Sequence, residues 1–307
     1  MIFDSLAPQS PMNMASEAYS RAALMLSQLV ATTTRCRPDT AYGPGPTQKL
    51  DIYLPQNAGS DLPVLLYFHG GGFTHGYKEW MGLSAPEIVA APAIFISVSY
   101  TLAPFEQYPV HLNDGIEALA WVYRNSRSLG ASADRIFIGG HSAGAMLAAH
   151  LALRKDLYAA HGLPEDVIKG CFPSSGTYDM RDPLVYGEQP VPAAAAADLQ
   201  TADPRLIRAR ISADPELAHK LSAIARVTGN RTPFFVMWAE RDSQICKSSS
   251  SAFVLALREQ PGAVVGAHMF PGFDHFWIHL DQGVPGNFWA RTVTSWMNGK
   301  PSSVSVT

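Results

Sequence analysis

Short apolar runs recur along this 307-residue chain, separated by stretches with helical spacing. Residues 51–54, 64–68, 93–99, 135–139, 168–173, 233–239 and 264–270 each pack β-branched or aromatic side chains into a few positions. Gly, Pro, Asn or Asp bound most of them, so they read as strands. Between them, residues 113–124 carry Ile116, Leu119, Ala120 and Tyr123 at helical intervals. Near the N-terminus, residues 13–30 place Met14, Ala18, Ala22, Met25 and Leu29 close to one helical face. Strands alternating with helices imply βαβ units and a mostly parallel sheet. The near-continuous apolar character of the central strands implies that both sheet faces are covered.

Residues 180–231 break this rhythm. They hold a Pro-flanked alanine run after Pro192, then Asp203-Pro204 and Asp214-Pro215. The block is too long for a simple connection and reads as a lid insertion. Within it, a helix is expected over 215–227, opened by Asp214 as N-cap with Pro215 in the first turn. Residues 1–45 are expected to form a helical cap, 46–298 a catalytic domain and 299–307 a frayed tail.

Two glycine motifs carry the chemistry. Gly140-His141-Ser142-Ala143-Gly144 lies between an apolar run and a helix-like run. A serine flanked this way at a strand-to-helix turn sits in a sharp bend that lifts its hydroxyl out of the sheet. His69-Gly70-Gly71-Gly72-Phe73 also follows a strand-like run. Successive glycines let backbone N–H groups converge on one point, as an oxyanion requires. Gly71, Gly72 and Ala143 are the expected donors. No Lys-Ser/Thr follows these glycines, which argues against a phosphate-binding loop.

A serine hydroxyl needs a base, and the base needs an orienting acid. In the chain order Ser, acid, His, the candidate bases after Ser142 are His150, His161, His219, His268, His275 and His279. His275 follows the last strand in a turn that can project it over the serine, and His279 is next best placed. Asp242 follows the strand at 233–239 and is the expected acid. Glu240 is its rival, and Asp274 adjoins the base. This mechanism calls for neither a metal nor an organic cofactor. Phe73, Phe276 and Trp277 are candidates for a substrate-binding wall.

Composition narrows the partners. Net charge is −3 and no Lys/Arg run occurs, so neither nucleic acid nor an anionic membrane is expected. Three cysteines at wide spacing point away from a disulfide framework or a zinc site and toward a reduced, cytoplasmic setting. The first arginine is Arg21 and the early apolar stretch is short, so neither signal peptide nor membrane span is expected.

Over residues 48–298 the chain resembles the hormone-sensitive-lipase-like esterases of the α/β-hydrolase superfamily. The likeness rests on His69 to Phe73, the serine motif, and Tyr100-Thr101-Leu102-Ala103-Pro104 leading to Tyr108-Pro109. It departs at His141 and Ala145, where those esterases commonly have Asp and Gly, and at Phe105, where they have Glu. The chain is also similar to arylformamidases (kynurenine formamidases). That likeness rests on Gly140 to Ala145, Tyr42-Gly43 before Leu50 to Tyr53, Asp242-Ser243 and Asp274-His275-Phe276. That family usually has Tyr-Trp where this chain has Gly72-Phe73. The resemblance implies an α/β-hydrolase fold and a homodimer through the last edge strand. Its implied function is a serine carboxylesterase for small to medium acyl esters, with aryl-formamide hydrolysis as the alternative. A non-catalytic ligand-binding protein on this scaffold would lack a triad member, and here all three are present.

Overall fold

Eight strands form one sheet in a computed structural model that describes residues 3, 6–57, 59–181 and 216–301. The strands are β1 (Arg35–Ala41), β2 (Lys49–Leu54), β3 (Leu62–Phe68), β4 (Ile94–Val98), β5 (Ala131–His141), β6 (Ile168–Ser174), β7 (Phe234–Ala239) and β8 (Val265–Phe270). Their spatial order is β1-β2-β4-β3-β5-β6-β7-β8. β2 runs antiparallel to both of its neighbours, and every other pairing is parallel. This is the α/β-hydrolase fold.

Side-chain alternation divides the core between the two faces. Val64, Leu66 and Phe68 of β3 join one cluster with the helices α3 (Val110–Leu129), α4 (Ala143–Leu153) and α6 (Gln244–Arg258). Leu65 and Tyr67 join the other, with α1 (Met14–Thr33), α2 (Ala85–Ala90) and α8 (Phe288–Met297). Neighbouring strands rise to a common rim. Phe68 pairs with Gly140, His141 with Ser174, and Ala239 with Phe270. The loops leaving these C-terminal ends therefore meet above one stretch of sheet.

Three local elements differ from the sequence reading. β1 carries no apolar run, because its Arg-Cys-Arg-Pro-Asp-Thr-Ala sequence is that of a solvated edge strand. The expected apolar face of α1 is turned around. Met14, Met25 and Leu29 are exposed, and Tyr19, Ala23, Ser27 and Ala31 are buried. Small residues let α1 approach the turn at Lys78–Ser84 closely. There Ser27 Oγ accepts from Leu83 N–H at 2.7 Å and Ser20 Oγ from Trp80 Nε1–H at 3.0 Å. The helix expected over 215–227 is split into α5 (Leu217–Leu221) and a 3₁₀ turn (Ala223–Arg226). Between them, buried Ser222 is extended and its Oγ accepts from Met180 N–H at 2.9 Å. Asp214, Pro215, most of the expected lid and most of the expected tail lie outside the described residues.

Candidate active site

Ser142 links β5 to α4 with φ 56° and ψ −120°, a backbone conformation that L-residues rarely adopt. The turn closes because its glycines leave no room for side chains. A Cβ on Gly144 would lie 2.1 Å from the Phe68 carbonyl oxygen, and one on Gly140 would lie 2.4 Å from the Gly144 oxygen. Ala143 opens α4, where a first-turn amide has no intrahelical acceptor. The glycine loop after β3 is equally constrained. Gly71 has φ 106°, and a Cβ there would meet the His75 carbonyl oxygen at 2.1 Å. His69 braces the loop by stacking on Tyr100 at 4.3 Å, while Tyr100 Oη–H donates to the His69 carbonyl at 2.7 Å. Gly71, Gly72 and Ala143 all line the cavity above Ser142.

The expected acid and the expected base lie on neighbouring loops, after β7 and β8. Ser142 Oγ lies 2.9 Å from His275 Nε2, and His275 Nδ1 lies 2.6 Å from Asp242 Oδ1. The other carboxylate oxygen, Oδ2, accepts from Ser175 Oγ–H at 2.6 Å and Ala239 N–H at 2.8 Å. Burial alone would raise the Asp242 carboxyl, yet the hydrogen bonds from His275, Ser175 and Ala239 hold it below its ordinary value. Burial alone would push the His275 imidazole down, yet its hydrogen bond to Asp242 and the nearby Cys246 sulfur carry it above the ordinary histidine value. A hydroxyl, an imidazole and an ionised carboxylate so arranged can pass a proton from the hydroxyl to the ring.

The rival residues have other partners. Glu240 Oε2 accepts from Gly272 N–H at 2.6 Å. Asp274 Oδ1 accepts from the N–H groups of Phe276 and Trp277 at 3.0 and 2.8 Å. His279 Nδ1 meets the Tyr19 hydroxyl at 3.0 Å. His150 Nε2 donates to the Leu221 carbonyl at 2.6 Å, and His161 faces Glu117. His268 stacks on Phe288, and His219 is exposed.

A cavity of about 350 Å³ opens over Ser142. Phe73 and Phe276 line it, but Trp277 stands outside its walls, half exposed at the start of the short helix α7 (Trp277–Leu280). The remaining apolar wall comes from Met12, Tyr19, Trp80, Met146, Met180 and Ile245. Among the described residues, no Lys, Arg, Asp or Glu side chain lines it. Sequence reasoning missed Ser175, Tyr19 and Cys246. None carries a motif, and each reaches the site only through the fold. Among the described residues, two clusters bring metal-type donors together. Asp242, Cys246 and His275 place one donor atom each within 4.8 Å of one another. In the other, Asp39, Asp51 and Glu79 surround the Lys78 ammonium, which supplies the cation there.

The alpha/beta hydrolase fold family matches residues 65–279. The chain belongs to this α/β-hydrolase family. It is 30% identical over 250 residues to the esterase LipC of Mycobacterium tuberculosis, a match covering 78% of this chain and 59% of that protein. It is 28% identical over 260 residues to the kynurenine formamidase of Salmo salar, covering 84% and 81% of the two chains. The chain thus spans less than two thirds of that esterase and most of that formamidase. Among solved structures, a hyperthermophilic esterase from Pyrobaculum calidifontis superposes with a TM-score of 0.70 at 23% identity, covering 94% of this chain and 92% of that one. That likeness concerns the fold alone. No helix among the described residues is long and apolar enough to cross a membrane.

Proposed function

We infer that this α/β-hydrolase cleaves uncharged carboxylic esters with small to medium acyl groups through an acyl-enzyme on Ser142. His275 takes the Ser142 proton as the hydroxyl attacks the carbonyl carbon. Asp242 fixes the ring tautomer and stabilises the imidazolium. The N–H groups of Gly71, Gly72 and Ala143 receive the oxyanion, each worth about 3 kcal/mol of barrier. His275 then protonates the leaving alcohol, and water returns the serine by the reverse sequence.

The observation that carries the ester reading is the apolar cavity wall without a charged side chain among the described residues. N-formylkynurenine, the alternative substrate, bears an ammonium and a carboxylate. Desolvating either without a partner is costly. The alternative draws its support from the formamidase likeness, which runs over most of both chains. A purified-enzyme panel of aryl esters of rising acyl length, run beside N-formylkynurenine, separates the two. The ester reading expects kcat/KM for a short-chain aryl ester at least a hundredfold above that for the formamide. Preference for the formamide overturns it.

A further inference from the structure

His141, the residue before the nucleophile, has no part in the proton relay, yet its side chain points at the base. The ring is buried, and its Nε2 lies 2.7 Å from the main-chain carbonyl oxygen of His275. A carbonyl only accepts, so Nε2 carries the proton. The other nitrogen, Nδ1, has no hydrogen-bond partner. It faces Gly70, where a Cβ would come within 3.3 Å of it. The ring packs between that glycine and His279, with ring centroids 5.4 Å apart at 22°. Burial, followed by the nearby His275 and His279 rings, holds His141 well below the ordinary histidine value. The neutral Nε2–H form is therefore the one that fits the site.

The geometry closes a small circuit. Ser142 Oγ bonds the side chain of His275 at 2.9 Å, and His141 Nε2 bonds its main chain at 2.7 Å. These two partners are joined by a single peptide bond on the elbow. The base is thus gripped at both ends by adjacent residues. Its own loop leaves β8 through Pro271-Gly272 and is tied to the β7 loop by Arg241 N–H donating to the Phe273 carbonyl at 2.8 Å. That tie lies two residues from His275, and Asp242 holds the ring at Nδ1 at 2.6 Å from the β7 side, whereas His141 holds the His275 main chain from the β5 side. A shift of about 1 Å in a reacting group can cost about a hundredfold in rate.

We propose that His141 is a positioning residue that sets the distance between His275 and Ser142 by holding the His275 carbonyl to the nucleophile's own strand. The proposal rests on the acyl-enzyme reading above. Its role lies in the chemical step rather than in substrate affinity.

The test compares His141→Leu, which removes the donor, with His141→Gln, which can present an amide N–H at similar reach. Steady-state kinetics on a short-chain aryl ester give the split between kcat and KM, and thermal melting reports on folding. His141→Leu is expected to lower kcat by about 10- to 100-fold with KM within about threefold of wild type. His141→Gln is expected to recover most of that loss at a comparable melting temperature. Equal kcat in wild type and His141→Leu overturns the proposal. So does a loss that His141→Gln fails to restore while remaining folded. Phosphonate labelling of the wild type separates the two readings. If Ser142 is not labelled, the acyl-enzyme reading fails. If it is labelled and both variants turn over like wild type, only the positioning role fails.

Discussion

Replacing Asp242 by Asn should disable the enzyme through the tautomer of His275. Asp242 Oδ2 faces two donors, Ser175 Oγ–H at 2.6 Å and Ala239 N–H at 2.8 Å. The serine hydroxyl can rotate to accept, but the amide N–H cannot. The Asn carbonyl oxygen must therefore occupy the Oδ2 position, which turns the Asn NH₂ toward His275 Nδ1. That nitrogen must then accept, and the ring proton moves to Nε2, 2.9 Å from Ser142 Oγ. A protonated Nε2 cannot take the serine proton. The same change in a Ser-His-Asp triad costs about 10⁴ in kcat. At about 1.36 kcal/mol per decade, that is about 5.4 kcal/mol of barrier. The assay is kcat/KM on a short-chain aryl ester at neutral pH, with circular dichroism to verify folding. Glu240→Gln is the control. Its side-chain oxygen can still accept from Gly272 N–H, so the expected loss is under about threefold. An Asp242→Asn enzyme retaining more than a tenth of wild-type kcat/KM would overturn the tautomer assignment, as would a larger loss at Glu240.

Three further outcomes are expected from the same geometry. The base must be neutral to act, and the hydrogen bond from His275 to Asp242, with the nearby Cys246 sulfur, raises its pKa above the ordinary 6.5 despite burial. Activity should therefore rise with pH through an acid-limb midpoint above 6.5 in kcat/KM, and a midpoint at or below that value contradicts the arrangement. Lys78→Met leaves buried Asp51 and Glu79 without their cation, since Lys78 Nζ sits 2.9 Å from Asp51 and also contacts Glu79. Breaking such a group costs about 3–5 kcal/mol, to be read as a fall in the urea midpoint. Gly144→Ala would drive a Cβ to 2.1 Å from the Phe68 carbonyl oxygen, so the elbow must shift. A loss of kcat/KM beyond about a hundredfold is expected, and wild-type kinetics would show that the turn has slack.

The strands were legible where both faces are buried, because β3, β4 and β7 are apolar at nearly every position. β1 was not, since an edge strand half in solvent needs no apolar run. The face of α1 was misread for a related reason. Helical periodicity locates a stripe but cannot tell a large-residue stripe left in solvent from a small-residue stripe pressed against backbone. At the site, Ser142 and the glycine loop announce themselves through local backbone demands. Asp242 and His275 are readable from their positions just past strand ends. Ser175 is equally close to Asp242, but its signal exists only once β6 lies beside β7. Trp277 illustrates the opposite error. Its apolar ring made it a candidate for the cavity wall, and it stands half exposed at the start of α7, outside the lining.

Everything proposed for the site passes through a single covalent bond to Ser142 Oγ. A fluorophosphonate probe incubated with the purified protein, followed by peptide mass mapping, reads it directly. One adduct per chain is expected, located on Ser142, and none in the Ser142→Ala protein. An adduct on another residue, or stoichiometric labelling of Ser142→Ala, would contradict it.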